Sequence, residues 1–173
     1  MKKLLPAIGL LLCVNFLSGC GSETVAADDP HENYVPELRA FDIIDSYDTD
    51  TATPNHPPLI LDPYLYDGLF EVFWDVDSLE DYRVSVRIND RNTIENSIVV
   101  HSQWCGAGRS CDQSGNLICE YTSDFFMSCG NAAQERDIYP LIDQIPQKVY
   151  LFIEICDYNS GYCEYDYYPV ELH

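Results

Sequence analysis

Tyr82-Arg83-Val84-Ser85-Val86-Arg87-Ile88-Asn89 alternates apolar and polar side chains without a break. Successive side chains of an extended chain point to opposite faces, so this octet reads as a half-buried β-strand. Tyr82, Val84, Val86 and Ile88 are expected to point inward, and Arg83, Ser85 and Arg87 to face water. A one-residue slip would bury both arginines, so the register is strongly specified. Outward from this stretch the same period recurs. Phe70, Val72, Trp74 and Val76 make a second row, with Glu71 and Asp75 between them. Residues 98–102, 117–122, 149–156 and 162–172 are further candidate strands, separated by turn-forming runs such as Asn89-Asp90-Arg91-Asn92, Ser114-Gly115-Asn116 and Asn159-Ser160-Gly161. Only residues 132–145 have room for a helical turn or two, which Pro140 and Pro146 would stop. Short strands of this kind across residues 58–173 imply an all-β fold, an antiparallel β-sandwich.

The order of landmarks within that region resembles fibronectin type III and related immunoglobulin-like domains. Trp74 comes first, then Tyr82-Arg83-Val84, then Val149-Tyr150-Leu151 leading into Asp157-Tyr158-Asn159-Ser160-Gly161. The resemblance implies a sandwich with the tryptophan in its core. Fibronectin modules normally lack disulfides, and this chain departs from them in its cysteines. A fold of this kind carries no activity with it.

The first twenty residues read as an address. Lys2 and Lys3 precede the apolar run 4–16, which is signal-peptide length and short for a membrane span, and Leu17-Ser18-Gly19-Cys20 follows. The tetrapeptide resembles the lipobox of bacterial lipoproteins. That resemblance implies cleavage after residue 19, a lipid on Cys20, and anchorage through more than one acyl chain, which is what stable attachment requires. With Gly21 rather than an Asp next to the cysteine, the expected address is the outer membrane of a diderm bacterium. Residues 20–57 hold nine acidic groups against Arg39 alone and are interrupted by Pro30, Pro36, Pro54 and Pro57, so they read as an extended acidic tether. Within it the apolar patch 38–44 is suited to packing on the folded domain or to a short helix.

Six cysteines remain beyond Cys20: Cys105, Cys111, Cys119, Cys129, Cys156 and Cys163. None forms a CxxC pair, which argues against a zinc ribbon or thioredoxin-like site. In an exported domain an even set reads as three disulfides. Sequence leaves the connectivity open, but small loops favour sequential pairing, each bridge worth about 2–3 kcal/mol by loop closure.

The full chain carries 9 Lys+Arg against 29 Asp+Glu, and residues 20–173 keep all the acids but only seven of the bases. Such a charge argues against nucleic-acid binding and against electrostatic docking on anionic lipid. No GxSxG, SxxK, HExxH or phosphate-binding glycine loop is present. His101 ends a strand and is expected at the rim. Asp75, Asp77, Glu80 and Asp81 have the chemistry of glycosidase acids or Ca²⁺ ligands, as does the run Asp45-Ser46-Tyr47-Asp48-Thr49-Asp50, but without the EF-hand spacing. The expectation is therefore no cofactor, no metal and no enzymatic activity. Tyr162, Tyr165, Tyr167 and Tyr168 form the candidate binding face, Tyr165 and Tyr167 on one side of their strand and Tyr162 and Tyr168 on the other. The function expected is a non-catalytic binding or accessory module held at the envelope, with a protein or glycan partner. A carbohydrate-binding module is the first alternative, and a hydrolase using loop carboxylates the second.

Overall fold

The computed structural model describes residues 35–51, 58–130 and 135–173; the signal segment, Cys20 and the tether through residue 34 lie outside them. Ten strands are described: β1 Glu37–Ile44, β2 Leu59–Leu61, β3 Leu69–Asp77, β4 Tyr82–Asn89, β5 Ile98–Cys105, β6 Ser114–Tyr121, β7 Phe126–Cys129, β8 Arg136–Asp137, β9 Gln147–Asp157 and β10 Cys163–Leu172. They form two five-stranded sheets, the first in the order β1-β3-β6-β7-β8 and the second in the order β2-β10-β9-β4-β5. All pairings are antiparallel except β2 with β10, which is parallel. The fold is all-β, a disulfide-bearing sandwich, as the alternation predicts.

One core fills the space between the sheets. From β3 it takes Phe70, Val72, Trp74 and Val76; from β4, Tyr82, Val84, Val86 and Ile88; from β9, Val149, Leu151, Ile153 and Ile155. These are the inward positions of period-two strands, each worth about 1.5–3 kcal/mol when removed from water. The tight packing has two visible consequences in glycine. A Cβ on Gly115 would lie 2.3 Å from the Trp74 ring, because the indole covers its neighbour in register on β6. At Gly68, φ is +72° and a Cβ would fall 1.9 Å from the Tyr121 carbonyl oxygen, so both the turn and the close approach demand glycine.

Three expectations change. The folded part begins well before residue 58, because β1 pairs with β3 from Glu37↔Asp77 to Ile44↔Glu71. Phe41 and Ile43 are buried and Asp42 points away, a period-two signal outweighed in the sequence by the surrounding acids and prolines. The turn after β1 is held by Asp45, whose carboxylate accepts the backbone N–H groups of Tyr47, Thr49 and Ile60 at 2.7–2.9 Å. Both of its oxygens therefore serve the backbone. Second, Ser85 and Arg87 do not stand in open water: Ser85 is buried and Arg87 is largely covered, because β4 is flanked by β5 and β9 and their outward side chains close over it. Third, His101 is buried rather than at the rim, facing inward opposite Val86 and beside Gly130. Between residues 132 and 145 the described part holds β8 and one 3-10 turn, Tyr139–Leu141.

Candidate binding face

The outward side chains of the second sheet can be read directly from its register. Arg83 lies beside Trp104 on β5 and Cys156 on β9; Ser85 lies beside Ser102 and Glu154; Arg87 lies beside Val99 and Phe152. On the far side of β9, Cys156, Glu154, Phe152 and Tyr150 meet Cys163, Tyr165, Tyr167 and Pro169 of β10. Strand geometry alone thus collects Trp104, Tyr150, Phe152, Tyr165 and Tyr167 on one face, with Tyr158 arriving from the β9–β10 turn.

These rings touch one another. Phe152 lies 6.1 Å from Tyr165 and 5.5 Å from Tyr167 between centroids, and Tyr150 lies 5.8 Å from Tyr167. Trp104 meets Tyr158 edge-on at 5.3 Å. Such tilted and edge-to-face pairs add about 0.5–1.5 kcal/mol beyond the area they bury. Phe152 is fully buried although it points away from the core, whereas Trp104, Tyr165 and Tyr167 remain 37–46% exposed. The face therefore has a closed floor and an open aromatic surface. Between the rings sits one charge pair. Arg87 donates to Glu154 at 2.9 Å and to Ser97 Oγ at 2.8 Å, with both charged side chains mostly covered.

The four sequence-predicted tyrosines separate. Tyr165 and Tyr167 belong to this face. Tyr168 points the other way, against Phe41 at 5.3 Å, and burial together with the negative charges of Asp166 and Asp42 raises its hydroxyl above the usual tyrosine range. Tyr162 precedes β10 and is exposed in the turn. Trp104, Phe152 and Tyr150 are the members missed at the sequence level. The signal for Trp104 was present: extending the 98–102 alternation by two residues puts it on the same side as Ser102.

The cysteines bond sequentially, Cys105–Cys111, Cys119–Cys129 and Cys156–Cys163, as small-loop closure favours. The last two pairs stand directly opposite each other across antiparallel strands. Cys156–Cys163 closes one end of the aromatic face. Glu154, Cys156 and Cys163 bring three metal-type ligand atoms within 4.8 Å of one another, but the two sulfurs are bonded together and the carboxylate accepts from Arg87.

Loops at that same end are tied by the acids considered above. Arg109 donates through Nε to Asp81 at 3.0 Å, and this bond holds the Asp81 carboxyl below its ordinary range. Asn159 donates to Glu80, and Arg39 pairs with Asp77. Asp157 is buried at the head of the turn. Burial pushes its carboxyl up, but the Ser160 side chain and the N–H groups of Ser160, Asn159 and Tyr158 outweigh that and hold it low. Set against known proteins, the chain matches no family model, no curated protein and no solved structure.

Proposed function

We propose that this is a lipid-anchored cell-envelope protein, carried by Cys20 on the outer membrane, whose sandwich is a non-catalytic binding module. The observation that carries the binding reading is the aromatic face: Trp104, Tyr158, Tyr165 and Tyr167 exposed on a rigid, disulfide-closed sheet. Exposed clustered aromatics are the usual anchors of protein interfaces. The strongly acidic remainder of the molecule favours a partner with a basic rim around an apolar centre. The immunoglobulin-like reading of the fold is supported by strand order. The run β10-β9-β4-β5 follows the order in which such domains place their last two strands beside the third and fourth, and β1-β3-β6 lie side by side in the opposing sheet. The loop carboxylates Glu80 and Asp81 are engaged in ties between loops, which favours binding over hydrolysis.

Two experiments test this reading. Cys20→Ser should abolish membrane retention and maturation at residue 20; a variant that still matures and partitions into detergent would remove the anchor. A photo-crosslinker at Tyr165 in cells should give one discrete adduct that fades with added salt and disappears in Trp104→Ala/Tyr167→Ala. The same crosslinker at Glu71, on the other sheet, should give none. A second reading, a carbohydrate-binding module, is favoured by the exposed rings of Trp104, Tyr165 and Tyr167. Glycan binding abolished by Tyr165→Ala would select it over a protein partner.

A further inference from the structure

We infer that the Cys156–Cys163 bridge is a thiol–disulfide exchange site, opened by a protein dithiol that attacks Cys163. This does not rest on the binding reading above: it needs only the sulfurs, their exposure and one arginine. The three bridges differ in what an attacking thiolate can reach. Cys105, Cys111, Cys119 and Cys129 are at most 3% exposed and are part of the buried core. Cys156 is 4% exposed, but its mate Cys163 is exposed at the first position of β10, where the chain leaves the β9–β10 turn. Exchange depends on access to the sulfur under attack. Of the three bridges, only this one has an open half, and that half is Cys163.

The bridge is also electrically asymmetric. Arg83, the register neighbour of Cys156 on β4, donates through Nη2 to the Cys156 sulfur at 3.5 Å. A guanidinium there stabilises a thiolate departing from Cys156, and a stabilised thiolate leaves faster. Glu154 is the opposing charge. Its carboxylate lies within 4.8 Å of both sulfurs, but it accepts from Arg87 at 2.9 Å, which offsets it. The corresponding contact at Cys105–Cys111 is neutral, the Gln103 amide on the Cys111 sulfur at 3.3 Å. Attack on the exposed sulfur thus expels the one beside the cation.

In the exchange, one thiolate of the dithiol bonds to Cys163 Sγ as the Cys156–Cys163 bond breaks. Cys156 leaves as a thiolate and takes a proton from water. The second thiolate of the dithiol then attacks its mate's sulfur in the mixed disulfide and expels Cys163, which is protonated in turn. The bridge gains two electrons, and the dithiol is oxidised to a disulfide. The sheet survives, because β9 and β10 stay paired from Glu164↔Ile155 to Leu172↔Gln147. Opening therefore loosens the turn that carries Tyr158 without unpairing the strands.

The test treats the full-length protein, folded in detergent, with reduced thioredoxin, then alkylates it and maps the labelled cysteines by peptide mass spectrometry. Cys156 and Cys163 should be labelled at least about tenfold faster than the other four bridged cysteines, with the circular dichroism of the sheets unchanged. A thioredoxin whose second active-site cysteine is replaced by serine should accumulate as a mixed disulfide on Cys163. Arg83→Gln should slow opening about two- to fivefold, with thermal unfolding of the oxidised protein unchanged, and Arg83→Lys should restore most of the rate. Equal labelling of all three bridges, earlier opening of either buried bridge, or a mixed disulfide on Cys156 would each overturn the inference. So would an opening rate equal to that of global unfolding, or an Arg83→Gln variant that opens as fast as wild type.

Discussion

Val149, Leu151, Ile153 and Ile155 leave β9 toward the core, whereas Tyr150, Phe152, Glu154 and Cys156 leave it on the opposite side. The inner set is aliphatic, meets Val84, Val86 and Ile88 across the ladder, and is covered by the other sheet. Among the described residues the outer set has no second sheet over it. It is shielded by its own neighbours on β4 and β10, through two tilted rings and one ion pair. The inner side is thus closed by another layer, and the outer side closes only its floor. That difference teaches where stability and recognition reside. Substitutions on the inner side should be read out as unfolding, and those at the top of the outer side as lost binding.

Ile153→Ala gives the largest expected effect, about 2–5 kcal/mol by denaturant unfolding, because the cavity is walled on all sides. Phe152→Ala, next to it on the same strand, should cost about 2–3 kcal/mol, since Tyr165 and Tyr167 are free to settle into the gap. A Phe152 loss as large as that of Ile153 would make the outer cluster a second core and erase the distinction. Arg87→Ala should follow at about 1–3 kcal/mol, because it leaves the mostly covered Glu154 unpaired. The double variant Arg87→Ala/Glu154→Gln should recover part of the loss, and a purely additive pair would show that the ion pair is inert.

Asp157→Ala should cost about 1 kcal/mol near neutral pH by releasing the β9–β10 turn. The folded-state carboxyl is held below its ordinary value of 3.8, so its contribution is complete above about pH 5 and is lost as pH falls through the lowered value. The gap between Asp157→Ala and wild type should therefore close in acid; a constant gap would assign the effect to packing. The smallest stability change belongs to Tyr165→Ala, under about 0.5 kcal/mol by denaturant unfolding.

The interior of this molecule was largely legible. The inward row of β4 and the row containing Trp74 follow from period two, because one of their faces is uniformly apolar. The cysteine pairing follows from loop length. The outer face was legible only in part. Ser85 and Arg87 look solvent-facing on their own strand, and only the register with Phe152, Glu154 and Trp104 covers them. Register between strands that are distant in sequence, such as β4 and β9, is not written in either strand alone. The same limit hid which of the alternating tyrosines would be inside: Tyr168 is drawn in by Phe41, on a strand the acidic composition had disguised as tether.

The three bridges span separations of 6, 10 and 7 residues, and none joins the two sheets. Each partner emerges almost together with its mate when the chain is threaded through a pore, so an oxidase can seal every bridge before the rest has arrived. Mispairing would require one cysteine to wait for a distant rival while its own mate stands nearby. Biogenesis of this domain should consequently depend on an oxidant far more than on a disulfide isomerase, and the late step, closing one sheet over the other, proceeds with no disulfide to lock it.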